Sequence, residues 1–432
     1  MVKGKGKVVL AYSGGLDTSV CIRYLQTLRK LDVITVTVDC GQEDDFNEIE
    51  RKAKAIGAIK HVYLDAKQEF ALDYVVRSIK ANALYQGKYP LATALARPLI
   101  AAKVVQVANE EGAAALAHGC TGKGNDQLRF DITMHALNPE LEIIAPIRDL
   151  NLTRDLEIKF AKEQGIEVSE EARKYSIDLN LWGRAIEGGN IEDANFEPPE
   201  DAFQFVDLHN SKTGYLDLEF EDGVPVAADS KHMDIVDLIE YVSDKAGSFG
   251  VGIIDHIEDR VIGIKSREVY EAPAAVAIIE AHKDLEKIVL TKHELSFKKF
   301  VDEQWAWLVY SGLWQDPLRA DLDKFIEATQ IRVSGKVKIK MRSGSLRVVG
   351  RGSKYSLYKN DLATYAGGST FDQSLAKGFV ELWGLQSIIA NSVANASAVA
   401  SSAKTTTPSA QQSKLTTAAP SPLQKKKNDG EE

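Results

Sequence analysis

The 432-residue chain is poor in cysteine: Cys21, Cys40 and Cys120 stand far apart, and none belongs to a C-x-x-C pair. That spacing argues against a thiolate zinc site and a disulfide framework, and it suits a reducing compartment. No apolar run approaches the roughly 20 residues that a membrane helix needs. A basic excess is missing too. The 53 Lys and Arg stand against 62 Asp and Glu, a formal net charge of −9, whereas a large nucleic-acid surface shows as a basic excess or stripe. Small anions are not excluded, because local backbone dipoles can hold them in an acidic protein. Met1 to Lys7 run straight into a predicted strand, which leaves no room for a signal or transit peptide. What remains, 44% hydrophobic and 27% charged, is an ordinary globular composition, long enough for two or three domains.

Local pattern is richer. Val8-Val9-Leu10-Ala11-Tyr12 reads as a buried strand, and Val20 to Leu25 as a helix. Between them lies Ser13-Gly14-Gly15-Leu16-Asp17-Thr18-Ser19. Glycines there let the backbone approach an anion. The unpaired amides of the first helical turn point at the same spot, and Ser13, Thr18 and Ser19 add hydroxyl donors. Asp17 fits a phosphate cradle only if it caps the helix or helps to hold a cation. The plain alternative is a helix cap after a tight turn. The loop lacks the Walker spacing G-x-x-x-x-G-K-[ST] and the dinucleotide spacing G-x-G-x-x-G. The run S-G-G-x-D-[ST] instead resembles the loop of the N-type ATP pyrophosphatases, which cleave ATP between the α- and β-phosphates.

From residue 7 to about 165, strands alternate with helices. Val33–Val38, His61–Leu64, Ala115–His118 and Ile143–Pro146 read as strands, with a helix from about Leu95 to Glu111. This α/β pattern predicts a doubly wound parallel sheet, with ligands at the carboxyl ends of its strands. Four such ends carry polar loops: 13–19, 38–42, 118–126 and 146–149. From 166 to 393 the pattern becomes α+β, with hairpins at Tyr215–Val226 and Val333–Val349 and helices at Met233–Ala246 and His293–Tyr310. Phe379 to Leu385 read as an apolar helix of the core or of a subunit interface. Residues 394–432, rich in Ala, Ser, Thr and Pro, are expected to be a disordered tail.

A second loop, His118-Gly119-Cys120-Thr121-Gly122-Lys123-Gly124-Asn125-Asp126-Gln127-Leu128-Arg129, is costly to order because of its three glycines. Unless it is only a flexible surface turn, something must approach its backbone. Lys123 can neutralise phosphate, Arg129 can take a carboxylate bidentately, and Asp126 suits an ammonium. Thr121 and Asn125 offer neutral hydrogen bonds. A nucleotide together with zwitterionic amino acids would need such groups.

Ala11 to Ser19, with Gly119 to Gln127, resembles the argininosuccinate synthase family. The likeness extends through Leu95-Ala96-Arg97-Pro98, Gly41-Gln42, Gly263 to Arg267 and Tyr270-Glu271-Ala272-Pro273, and it ends near Leu385. It implies an adenine-nucleotide alpha hydrolase-like sheet domain (1–165) and a synthetase and oligomerisation domain (166–393). It also implies a ligase that joins citrulline to aspartate with cleavage of ATP, in arginine biosynthesis. Ala11, Tyr12, Ser13, Gly14, Gly15, Leu16, Asp17, Thr18 and Ser19 would hold ATP, Val38 would touch adenine or ribose, and Gly119 the nucleotide. Thr121, Asn125 and Asp126 would bind aspartate. Tyr89, Thr93, Asn125, Arg129, Ser176, Ala185, Glu258 and Tyr270 would serve citrulline. Ser13, Asp17 and Lys123 would steady the transition state, with no covalent nucleophile. ATP would be a substrate, accompanied by Mg2+, with no protein metal ligand assigned. Citrulline and aspartate would be the other small-molecule partners, in a cytoplasmic homotetramer with no nucleic acid and no membrane. Without the resemblance, Tyr89 and Tyr270 read as core-edge aromatics and Glu258 as a solvated charge. Ala94 and Ala185 stand where some relatives have serine, and a lost neutral hydrogen bond is worth roughly 0.5–1.5 kcal/mol.

Two other readings compete. An ATP pyrophosphatase that adenylates a tRNA base would bring a basic RNA-binding module and usually catalytic cysteines. A non-catalytic nucleotide-binding protein would lack the amino-acid groups Thr121, Asn125, Asp126, Arg129, Ser176 and Glu258.

Overall fold

Five short strands run parallel in the first half of the chain: β1 (Lys7–Ala11), β2 (Asp32–Asp39), β3 (Lys60–Asp65), β4 (Ala115–Ala117) and β5 (Glu142–Ile144). The computed structural model describes residues 6–166, 175–366 and 368–404. The strand order is β3-β2-β1-β4-β5. Around the sheet lie α1 (Leu16–Thr27), α2 (Phe46–Ile56), α3 (Lys67–Glu69), α4 (Val76–Lys80), α5 (Ala92–Glu111), α6 (Asp126–Leu137), α7 (Pro146–Asp149) and α8 (Arg154–Glu163). Side chains alternate across a strand. Val8 and Leu10 therefore enter one core with Val20 and Leu25 of α1, Ile49 of α2 and Ala161 of α8. Val9 and Ala11 enter the other, with Leu95 and Leu99 of α5 and Phe130 and Met134 of α6. This is the doubly wound arrangement the alternating pattern predicts.

The direction of winding reverses between β1 and β4. The loops that leave their carboxyl ends diverge there and open a crevice. Several boundaries differ from the sequence reading by a few residues, two of them beside the crevice. The long helix begins at Ala92, and the last strand stops at Ile144, because Pro146 opens α7. Proline has no amide to give a ladder but fits a first helical position.

The second part holds β6 (Ser176–Asn180), β7 (Gly183–Glu187), β8 (Thr213–Glu221), β9 (Val224–Ala228), β10 (Lys231–His232), α9 (Ile235–Gly247), β11 (Ile253–Asp259), β12 (Lys265–Glu271), α10 (Pro273–Val289), α11 (Lys292–Tyr310), α12 (Pro317–Gln330), β13 (Gly335–Arg342) and β14 (Ser345–Gly352). Two antiparallel sheets result, β10-β9-β8-β13-β14 and β11-β12-β7-β6. Helix α11 starts on a capping box, in which Thr291 and Glu294 satisfy each other's backbone amides.

The turn between β6 and β7 joins the smaller sheet to the parallel one. The Leu181 amide donates to the Cys40 carbonyl at 2.9 Å. Trp182, buried, donates its indole Nε1 to the Pro90 carbonyl at 2.9 Å, and Asn180 Nδ2 donates to the Ala92 carbonyl at 3.0 Å. One hydrophobic core runs from Val9 and Leu99 through Trp182 to Ile278 and Trp305. The smaller sheet thus stands over the carboxyl ends of β1, β2 and β4.

Residues from Lys359 onward form a separate unit. It contains α13 (Asn360–Ala363), α14 (Leu375–Trp383) and α15 (Leu385–Lys404). Phe379, Leu382 and Trp383 are exposed in the single chain, which removes the core reading of that helix. Within the span expected to be a tail, α15 continues through Lys404, and its run of Ala and Ser carries no proline to stop it. The rest of that tail lies outside the described residues.

Candidate active site

The crevice between β1 and β4 is a cleft of about 760 Å³ lined by residues of both parts of the chain. Its first wall is the loop after β1. Gly15 occupies the N-cap position of α1 without a side-chain cap bond, so the amides of the first turn have no side-chain partner there. Asp17 is not the cap. It pairs with Arg154 of α8 at 2.6 Å, a use that neither sequence reading contained. Beside it Glu157 is buried; burial raises its carboxyl well above the usual range, and contact with Asp17 raises it further. Lys52 Nζ donates to the Gly14 carbonyl at 2.6 Å and braces the loop from α2. Ser19 is buried against Tyr12, its Oγ 3.3 Å from the phenol oxygen.

The second wall is the loop after β4. A Cβ on Gly119 would lie 3.0 Å from Thr18 Cγ2 and 3.3 Å from the Thr18 amide nitrogen. Glycine there lets the two loops touch. Asp126, at the start of α6, is held between two guanidiniums. Arg97 Nε donates to its Oδ2 at 2.6 Å, and Arg129 Nη1 to its Oδ1 at 2.8 Å. Burial pushes the Asp126 carboxyl up, but Arg97 and Arg129 outweigh it and hold it below the usual carboxylate range. Arg97 also reaches Asp178 on β6 at 2.7 Å.

The third wall comes from the smaller sheet and the segment before α5. Tyr270 on β12 donates to Glu258 Oε2 at 2.8 Å and stacks on Tyr89, with ring centroids 4.3 Å apart. Tyr89 Oη accepts the Thr93 amide at 2.9 Å. Arg260 bridges two carboxylates of this wall, buried Glu268 at 2.8 Å and half-buried Glu187 at 3.1 Å. Burial raises the Glu187 carboxyl, and Glu268 adds to the shift.

Of the residues singled out in the sequence, the cleft is lined by Ala11, Tyr12, Ser13, Gly15, Leu16, Asp17, Thr18, Val38, Tyr89, Thr93, Gly119, Thr121, Asn125, Asp126, Arg129, Ser176, Ala185, Glu258 and Tyr270. Gly14, Ser19 and Lys123 do not line it; the Lys123 carbonyl accepts from Arg260 Nη1 at 3.2 Å. Sequence reasoning assigned no role to Arg97, Arg154, Glu187, Arg260 or Glu268, all of which line the cleft. Only Arg97 carried a signal, inside Leu95-Ala96-Arg97-Pro98.

Two family models match the chain. "Arginosuccinate synthase N-terminal HUP domain" covers residues 7–167, and "Arginosuccinate synthase C-terminal domain" covers 175–390. The chain belongs to the argininosuccinate synthase family. An argininosuccinate synthase of Pyrococcus furiosus is 55% identical over 89% of this chain and 94% of its own length. Those of Pyrobaculum aerophilum and Saccharolobus solfataricus are 54% and 52% identical, each over 90% of this chain and 98% and 99% of their own. A solved structure, of a predicted subunit of a tRNA methyltransferase from Methanocaldococcus jannaschii, matches 37% of this chain at 17% identity and a TM-score of 0.27, too remote to bear on the site. The two alanines singled out in the sequence occupy different surroundings here. Ala94 is buried away from the cleft, which Thr93 lines, whereas Ala185 lines it.

Proposed function

We propose that this chain condenses citrulline with aspartate to argininosuccinate, with cleavage of ATP to AMP and pyrophosphate. The observation that carries the reading is the meeting of a phosphate-type loop with an amino-acid-type cleft at one point, the β1/β4 switch. ATP lies with its phosphates against Ser13 to Thr18, where first-turn amides and hydroxyls oppose the charge that develops on the leaving pyrophosphate. Mg2+ enters as part of the substrate, on the nucleotide's phosphates. Val38 and Gly119 flank the nucleoside. Citrulline occupies the third wall, with its carboxylate on Arg129 and its ammonium near Glu258 and Ser176.

The citrulline ureido oxygen forms a bond to the α-phosphorus as the bond to the bridging oxygen breaks, and pyrophosphate departs. The aspartate amine then attacks the ureido carbon. The bond from that carbon to oxygen breaks, AMP leaves, and the amine's surplus proton goes to solvent. Aspartate sits on Thr121, Asn125 and Asp126. A carboxylate kept ionised by two arginines suits an ammonium ligand and is a poor proton carrier near neutral pH. The protein's work is placement and charge neutralisation. This supports a chemistry without a nucleophilic side chain, and burial pushes the Cys40 thiol up to about 12.

We extend the proposal to a homotetramer in the cytoplasm. The exposed apolar side chains of α14 and α15 support a subunit contact, and free cysteines support a reducing compartment. No helix of the described residues is long and apolar enough to cross a membrane. The test is pyrophosphate release from ATP. It should require citrulline, and argininosuccinate should form once aspartate is added. Release that ignores citrulline, or no release, contradicts the proposal.

A further inference from the structure

Tyr310 closes helix α11 and does not line the cleft, yet it holds three residues that do. Its Oη donates to Glu258 Oε1 at 2.6 Å and accepts from Asn125 Nδ2 at 2.8 Å. Its carbonyl accepts from Arg129 Nε at 3.1 Å and Nη2 at 2.9 Å. These partners come from β11, the loop after β4, and α6. No other contact described above joins both an Asn125 and a Glu258 side chain.

The residue is itself held firmly. Its ring stacks on Tyr85 with centroids 3.4 Å apart and planes 6° apart, and the Arg129 guanidinium lies 5.1 Å from its centroid. Two residues on, Gly312 has a φ of 82°, and a Cβ there would meet the Arg129 Cα and amide nitrogen at 3.1 Å. The turn after α11 is therefore pressed against α6 at the height of Arg129. A tyrosine needed only for packing would have no use for four polar contacts to a substrate cleft.

We infer that Tyr310 is a positioning residue for the citrulline end of the cleft: its hydroxyl and carbonyl set the orientation of Glu258, Asn125 and Arg129 together. The inference rests on the proposed reaction, and it adds a residue that touches no substrate. One consequence separates positioning from packing. Burial raises the Glu258 carboxyl, and the hydrogen bond from Tyr310 is the first influence that lowers it again. The other titratable groups facing it are Tyr270 and Glu268 on β12, Arg129 on α6, Arg260, and Tyr85 and Tyr89 before α5. Removing the Tyr310 hydroxyl lets the Glu258 carboxyl rise. A larger fraction is then protonated at a given pH and lost to a citrulline ammonium.

The experiment is Tyr310→Phe, which keeps the ring, the stack and the carbonyl. A hydrogen bond to a charged group is worth roughly ten- to hundredfold in affinity. Citrulline KM, and its dissociation constant by calorimetry, should rise by about that factor. The ATP requirement should stay within about twofold and the melting temperature within a few degrees. The acid limb of kcat/KM for citrulline should move to higher pH. Adding the change to Glu258→Gln should weaken citrulline much less than it does in the wild-type background. Unchanged citrulline binding and pH profile in Tyr310→Phe overturn the inference while wild-type turnover upholds the reaction. Equal losses for ATP and citrulline with a lowered melting temperature also overturn it. A wild-type protein that neither binds nor converts citrulline overturns both.

Discussion

Asp126 carries more than one duty. It balances Arg97 and Arg129, and the proposed reaction asks it to receive an ammonium as well. A carboxylate offers about four lone-pair sites, so two arginines leave room for a further donor. Asp126→Ala should raise the aspartate requirement roughly ten- to hundredfold, the usual worth of a charge-assisted hydrogen bond. The ATP requirement should change far less. Steady-state kinetics with each substrate varied in turn checks this, and equal effects on aspartate and ATP contradict the role. Asp126, Asn125 and Arg129 were legible in the sequence because one short loop and helix start carries them all. Arg97 reaches Asp126 from 29 residues before it and Tyr310 reaches Asn125 from 185 residues beyond it, while Arg154 reaches Asp17 in the first loop from 137 residues on. No spacing rule reaches across such separations.

The elements show why half of the fold was legible. The central parallel strands β1, β2 and β4 are buried on both faces and read as apolar runs. Strands β11 and β12 do not read that way. Their buried positions include Glu258, Glu268 and Glu271, not a regular apolar alternation. The smaller sheet turns carboxylates toward the cleft, and function there overrides the binary pattern. Helices α10 and α11 are joined by another buried polar cluster. Lys298 Nζ donates to the Asp302 carboxylate at 2.8 and 2.9 Å, to the Lys80 carbonyl at 2.8 Å, and pairs with Glu286 at 3.1 Å. Lys298→Met would leave two buried carboxylates without their cation. The expected cost is about 3–5 kcal/mol of stability, read as a lowered urea midpoint; an unchanged midpoint contradicts the account of this joint.

At the scale of the molecule, the chain is two compact units, and the C-terminal one presents Leu375, Phe379, Leu382 and Trp383 to solvent. Exposed apolar patches of this kind mark contacts with other chains. Phe379→Asp combined with Trp383→Asp should reduce the mass measured by light scattering after size exclusion. A mass equal to the wild type's would contradict an interface at α14. Within the larger unit, the parallel sheet and the smaller antiparallel sheet converge on one cleft; in the proposed reaction the loop after β1 removes pyrophosphate while an oxygen beside it takes the adenylyl group. Citrulline labelled with oxygen-18 in its ureido group tests this most directly. The account predicts that, after turnover with ATP and aspartate, the label appears in the phosphate of AMP. AMP formed without label would contradict it.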